Sequence, residues 1–174
     1  MASRPCRFDP GSGYFLKFVM DFASAIKSGD LIAVKRLIDE GHDINQADAR
    51  GFTPLILASY FNQVPIVKAL LVQGAEVDKV DSAGHTALLG ASFKGYKEVM
   101  STLLSYNADV NHVGHNGSSA LIYAATYNHL DVVRLLKAHG ANLDITDQNG
   151  MKALHHAQSK GHQRIIALLE ATEA

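Results

Sequence analysis

Small and apolar residues recur along the chain at a spacing much longer than a helical turn. One alanine column and two columns of mostly leucine repeat every 33 residues, and a glycine column follows the same period. A period of this length indicates one supersecondary unit copied five times, with the copies stacked to share a core. The columns are Ala25, Ala58, Ala91, Ala124 and Ala157; Leu37, Leu70, Leu103, Leu136 and Leu169; Phe22, Leu55, Leu88, Leu121 and Leu154; and Gly51, Gly84, Gly117 and Gly150.

The second copy indicates which elements one unit contains. Thr53 offers a hydroxyl for an N-cap and Pro54 suits the first helical position, so a helix is predicted to begin there. A second helix is predicted from near Pro65 to Gly74. The stretch after it crosses to the next glycine turn, with Val77 as its buried anchor and Ile44, Val110 and Leu143 in the same place in other copies.

Both predicted helices end at columns that contain only glycine or asparagine. These two residue types best tolerate the left-handed backbone of a helix C-terminal cap, so we predict such caps at every one of these positions. The first helices end at Gly29, Asn62, Gly95, Asn128 and Gly161, and the second helices end at Gly41, Gly74, Asn107 and Gly140.

The terminal copies differ from the central ones, as units at the ends of a stack must. In the last copy Gln163 and Glu170 replace apolar residues, and in the first copy Phe18 stands where glycine is expected. Residues 1–19 are expected to form a leader or irregular arm, which is not native if translation starts at Met20. The remainder is predicted to be a single domain, 20–174, with copies at about 20–47, 48–80, 81–113, 114–146 and 147–174.

The repeating unit resembles the ankyrin repeat. Gly-Phe-Thr-Pro-Leu at 51–55, Leu-Leu at 70–71 and Val-Asp at 77–78 carry the resemblance, which covers about 21–171. The histidine that usually follows Thr-Pro-Leu is kept only at His155. The resemblance implies an all-α solenoid of helix-turn-helix units, joined by β-turn or hairpin-like loops.

The resemblance also implies a non-enzymatic scaffold that binds a protein partner through its concave surface and turn tips. In the family these positions lie at the end of the first helix of each unit and at the turns, where the fold leaves the residue type free. Aromatic, arginine and methionine side chains are enriched at interface cores. The aromatic residues at these positions cluster in the middle of the stack, so we expect the contact surface there. The implied residues are Arg50, Phe52, Tyr60, Phe61, His85, Phe93, Lys94, His115, Asn116, Tyr127, Met151 and Lys160.

The aromatic side chains leave an alternative open. Tyr60, Phe93 and Tyr127 could lean against neighbouring helices and complete the core. Phe52 and Phe61 are expected to face outward. The consequence of binding is also open, because an accessory or inhibitory protein that stabilises or blocks an enzyme would use the same surface.

Composition narrows the remaining function classes. A net charge of −1 without a lysine or arginine cluster argues against nucleic acid as a partner. The sequence has no run near the roughly 20 apolar residues of a membrane span. The single cysteine, Cys6, excludes an intramolecular disulfide. We expect a monomer in the cytoplasm, without membrane or cofactor, with export to the periplasm or outside as the alternative.

Nine histidines raise the question of metal binding or catalysis. His112 and His115 are close in a loop, whereas His155 and His156 point about 100° apart on a helix. No cysteine or carboxylate completes a zinc set, and no Gly-x-Ser-x-Gly elbow or P-loop is present. The sequence therefore predicts no catalytic, cofactor or metal residue, and an enzyme would require a deep polar pocket that nothing in it indicates.

Overall fold

The computed structural model describes residues 21–171, which form ten α-helices in five consecutive pairs. The extended connections within this range pair only at isolated bridges, Val113 with Ser119 and Thr146 with Lys152. The predicted all-α solenoid is confirmed. The helices are α1 Phe22–Ser28, α2 Leu31–Asp39, α3 Pro54–Tyr60, α4 Val64–Val72, α5 Ala87–Lys94, α6 Lys97–Ser105, α7 Ala120–Thr126, α8 Leu130–Ala138, α9 Ala153–Lys160 and α10 Gln163–Glu170.

The helices stack in two rows. The odd-numbered helices α1 to α9 pack side by side in what we call the inner row, and the even-numbered helices α2 to α10 form the outer row. Ala58, Ala91 and Ala124 of the inner row are fully buried, and their small side chains allow neighbouring helices to approach closely. One apolar core therefore runs through the stack, because no single pair of helices could bury its own apolar face.

The N-cap predicted at Thr53 is present, and the hydroxyls of Thr86 and Ser119 in the next two copies have the same role. The side-chain oxygens of Thr53, Thr86 and Ser119 accept hydrogen bonds from the N–H groups three residues later, at 3.2, 3.3 and 3.4 Å. Lys152 has no acceptor to offer at the start of α9. There the ring Nδ1 of His155 accepts from the Lys152 N–H at 3.1 Å, so one donor is satisfied from inside the helix.

The glycine and asparagine columns also have the predicted conformation. Asn62, Asn107 and Asn128 have φ angles of 57°, 60° and 62°, and the glycines of both columns are likewise left-handed. Each cap at the end of an inner helix leaves a sharp turn that takes the chain to the outer row, and each cap at the end of an outer helix is followed by the extended connection to the next pair.

Some predictions need correction or lie outside the described residues. Val77 and its counterparts are only partly buried, because each loop packs one side against the core and leaves the other open. Gln163 and Glu170 are exposed at the end of the stack. Cys6, Phe18 and the proposed arm at 1–19 lie outside the described residues.

Candidate functional site

An aspartate holds the turn that carries His85 and the turn that carries Arg50 and Phe52. The Oδ1 atom of Asp81 accepts hydrogen bonds from the Ala83 and His85 N–H groups, both at 2.8 Å. Asp48 does the same for Arg50 and Phe52, and these hydrogen bonds, with that from Phe52 first, lower the pKa of Asp48. The turns thus fix the backbone from which these candidate side chains project.

Successive turns are also bonded to one another. The Ser82 N–H donates to the Arg50 carbonyl at 3.0 Å. The His115 N–H donates to the Ala83 carbonyl at 3.0 Å, and one turn further on Gln148 bonds to Asn116 at the same distance. The turn tips therefore form a continuous bonded edge along the inner row.

Four rings at the ends of the inner helices form what we call the aromatic cluster: Tyr60, Phe61, Phe93 and Tyr127. The rings of Tyr60 and Phe61 meet edge to face at 5.6 Å, and those of Phe93 and Tyr127 at 4.6 Å. Tyr60, Phe61 and Tyr127 are 43%, 39% and 48% exposed. Three of the four rings thus present apolar area to water, and only Phe93 is half-buried.

The prediction for Phe52 was wrong in part. Its ring does not simply face outward but is partly buried and packs against the core. The reason is its neighbour: the Arg50 guanidinium lies over the ring, 4.5 Å from its centre, and covers the outer side. Arg50 itself remains 71% exposed at the turn tip.

A hollow of about 250 Å³ opens between α3 and α5, and we call it the inner hollow. Ile56 and Leu89 line its apolar base, while rings of Phe93 and Tyr123 form part of its wall. Gly90 leaves the space open, because a Cβ at this position would meet no atom within 4 Å. A second hollow of about 380 Å³ adjoins it, shares Ile56 and Tyr60 and extends to Phe61.

Cations lie at or beside these hollows. The Lys94 ammonium lies 4.4 Å from the centre of the Tyr60 ring and 5.6 Å from that of Phe93. It therefore joins the two halves of the aromatic cluster. Arg50 and Lys27 border the second hollow.

A polar network supports the wall of the inner hollow. The Tyr123 hydroxyl lies 3.1 Å from His85 Nε2 and accepts a hydrogen bond from Asn116 Nδ2 at 3.1 Å. His85 Nδ1 lies 3.7 Å from the buried carboxylate of Asp81. His85 and Asn116, both predicted site residues, are thus joined through Tyr123, a residue that the sequence did not single out.

Sequence reasoning missed Tyr123, Gly90 and Lys27. A signal for Gly90 was present, since a glycine inside a helix is unfavourable and the same column has Leu57 and Tyr123 in the adjacent copies. Three predicted residues lie away from the hollows. His115 is in the bonded edge, Met151 is partly buried at the last turn, and Lys160 is exposed at the end of α9.

Several histidines have structural contacts. The Nε2 atoms of His129 and His162 lie 3.0 and 3.2 Å from the carbonyls of Phe93 and Thr126, at the ends of the preceding inner helices. His156 Nε2 contacts the Asp147 carboxylate at 2.8 Å. Between residues 21 and 171 no three histidine, cysteine or acidic side chains are grouped to hold a metal ion. No helix of this part of the chain is long and apolar enough to cross a membrane.

Comparison with known proteins identifies the family to which the repeats belong. The family model described as Ankyrin repeats (3 copies) matches residues 22–114 and 111–173, so it covers nearly all of the described chain. The resemblance predicted from the sequence is thereby confirmed. Ankyrin repeats are generally protein–protein interaction modules. A search of curated proteins gives no match.

Proposed function

Because the chain belongs to the ankyrin repeat family, we propose that it binds a protein partner through the inner row and the turn tips, without catalysing a reaction itself. The aromatic cluster is the observation that carries this proposal. Tyr60, Phe61 and Tyr127 keep more than a third of their surface exposed, although the stack does not need them for its core. Apolar area gathered at one place on a surface usually marks a binding site.

The proposed contact surface extends from the aromatic cluster to the turns. Phe52 and His85 contribute through the hollows that they line, and Lys94 contributes through the Tyr60 and Phe93 rings that it contacts. Arg50 and Asn116 contribute through the turn tips. His115, Met151 and Lys160 lie at the periphery of the same surface, away from the two hollows. A monomeric state, a cytoplasmic location and a scaffold role stay predictions from the sequence.

The test is a capture experiment with a variant that removes exposed rings only. Phe61→Ala with Tyr127→Ala should reduce the amount of captured partner at least tenfold, since two contact rings are lost. The melting temperature should change little, because both rings are substantially exposed. Affinity capture from the native host, followed by a binding titration with the identified partner, measures the loss.

Tyr106→Ala is the matched control, because Tyr106 is 40% exposed but lies at the end of α6 in the outer row. This variant should capture the partner as well as the unchanged chain does. Equal capture by the double variant would refute the proposed surface. If the captured partner is an enzyme whose rate changes on binding, the chain acts as an accessory or inhibitory protein through the same surface.

A further inference from the structure

We infer that the partner presents an acidic segment and places one apolar side chain of that segment in the inner hollow. This inference rests on the proposed function and adds the chemistry of the partner to it. Two independent features of the inner row support it: the size and apolar lining of the hollow, and the sign of the charges around it.

The size of the inner hollow suits a single side chain. Its volume of about 250 Å³ is below the range of roughly 300–1,000 Å³ typical of small-molecule sites. Ile56, Leu89 and Phe93 offer carbon atoms to an occupant, whereas the polar atoms of the wall are joined in the network around Tyr123. A leucine or phenylalanine side chain would be desolvated there without leaving a polar group unpaired.

The inner row carries only positive charge. Within residues 21–171 its helices α1, α3, α5, α7 and α9 contain Lys27, Lys94 and Lys160 but neither aspartate nor glutamate. Among the ion pairs of this part of the chain, none within 4 Å involves Lys27 or Lys94. Lys27 is close enough to Asp21 and Asp48 for the charges to interact. Lys94 is therefore the lysine beside the hollows that is available to a carboxylate of a partner.

Asp81, which lines the inner hollow, and Asp48, which lies beside Arg50 of the second hollow, already have partners in the chain. Asp81 is 8% exposed and accepts from two backbone N–H groups of its turn. Asp48 accepts from the N–H groups of Arg50 and Phe52, and its other oxygen lies 3.9 Å from the Arg50 guanidinium. The charge of Asp48 partly offsets that of Lys27. No carboxylate of the described residues lies within 4 Å of the Lys94 ammonium, so the side of the inner hollow next to Lys94 attracts acidic segments and repels basic ones.

Selection from a random displayed peptide library, with the full chain as bait, tests the inference without knowledge of the partner. We expect the enriched peptides to share an apolar residue with aspartate or glutamate on either side. One such peptide, synthesised with a fluorescent label, is then titrated by anisotropy. Exchange of its acidic residues for lysine, or of its apolar residue for serine, should weaken binding at least tenfold.

Two variants of the chain separate the hollow from the charge. Gly90→Leu fills the inner hollow and should weaken binding of the acidic peptide at least tenfold. Its melting temperature should be at or above that of the unchanged chain, because leucine favours a helix more than glycine does. Gly90→Ala fills less of the space and should have a smaller effect, which also keeps the test valid if Gly90→Leu folds poorly.

Lys94→Glu should weaken the acidic peptide and strengthen its lysine-exchanged analogue, so that the preference between the two reverses. Lys68→Glu, an exposed lysine of α4 in the outer row, is the control with the same charge change and should keep the original preference. Enrichment of neutral or basic peptides, no enrichment, or binding by Gly90→Leu as tight as that of the unchanged chain would overturn the inference. Loss of the host partner in the Phe61 and Tyr127 double variant would still support the proposed function in that case.

Discussion

At the scale of the residue, the absence of a side chain at Gly90 shapes the surface of the inner row. Gly90 lies inside α5 without a left-handed backbone, so no feature of the helix requires glycine there. A glycine inside a helix costs roughly 0.5–1 kcal/mol relative to alanine. What the chain gains at this position is space beside Phe93 and Tyr123, which becomes the inner hollow.

Asp147 stabilises its turn through contacts of both carboxylate oxygens. Its Oδ1 atom accepts from the Asn149 and Met151 N–H groups at 2.9 and 3.0 Å, while Oδ2 contacts His156 at 2.8 Å. Burial raises the pKa of this carboxyl, but the hydrogen bonds from Met151, His156 and Asn149 outweigh burial and hold the pKa below its ordinary value. The charged form is therefore favoured more in the folded chain than in the unfolded one.

We predict that Asp147→Ala lowers the free energy of unfolding by about 1–2 kcal/mol at pH 7, because two turn N–H groups and His156 lose their acceptor. The folded pKa is the lower one, so the contribution of the charge is complete above the unfolded pKa of about 3.9 and is lost as the pH falls below it. Urea titrations from pH 7 to pH 3 should show the two chains converging at low pH. Asp39→Ala, an exposed carboxylate at the end of α2, should show no such convergence.

At the scale of the element, the starts and ends of the helices follow from local sequence. The donor and acceptor of each N-cap are three residues apart, and a left-handed cap depends on one residue type, so the sequence contains all that is needed. Thr86 and Asn62 were predictable for this reason. Lys152 is the exception, since α9 begins without a side-chain acceptor at its N-cap.

Replacement of Lys152 by threonine should supply the missing cap. The new hydroxyl would accept from the His155 N–H, as the Thr86 hydroxyl accepts from Leu89. The exposed ion pair of Lys152 with Asp144 is lost, but such pairs contribute little. We expect a gain of about 0.5–1 kcal/mol in the free energy of unfolding by urea titration. Lys160→Thr at the other end of α9 should give no gain, and equal stability of both variants would contradict the prediction.

At the scale of the whole molecule, each helix pair contacts only its neighbours along the stack. The stability of such a stack is approximately a sum of unit and neighbour contributions, so position decides how far a defect spreads. Leu103 is fully buried in α6, between α4 and α8, whereas Leu169 lies in α10 at one end.

Leu169→Ala should therefore loosen the last pair alone, while Leu103→Ala should destabilise the middle of the stack by about 2–5 kcal/mol. Hydrogen exchange read by mass spectrometry separates the two outcomes. We expect Leu169→Ala to reduce amide protection in α9 and α10 and to leave α3 and α4 unchanged. A uniform loss of protection in both variants would show that the stack unfolds as one unit.

Contacts between different copies of the repeat explain why part of the candidate site could not be predicted from the sequence. The resemblance to the ankyrin repeat implies which positions the fold leaves free, and Tyr60, Phe61 and Lys94 were predicted to be contact residues on that basis. The inner hollow and its network join residues of different copies, such as His85 and Tyr123, which are 38 positions apart. Phe52 was misjudged because its exposure depends on where the Arg50 side chain lies, which no column specifies.

The bonded edge of turn tips has a consequence for how this surface can change in length. Each tip bonds to the next through the same backbone groups, from Arg50 to Ser82 and from Asn116 to Gln148. Duplication or deletion of one entire copy would rejoin the tips with every such bond intact. An insertion of one or two residues into a turn tip would displace these backbone groups and break a bond. With the bonded edge intact, the surface can therefore become longer or shorter only by whole copies of the repeat.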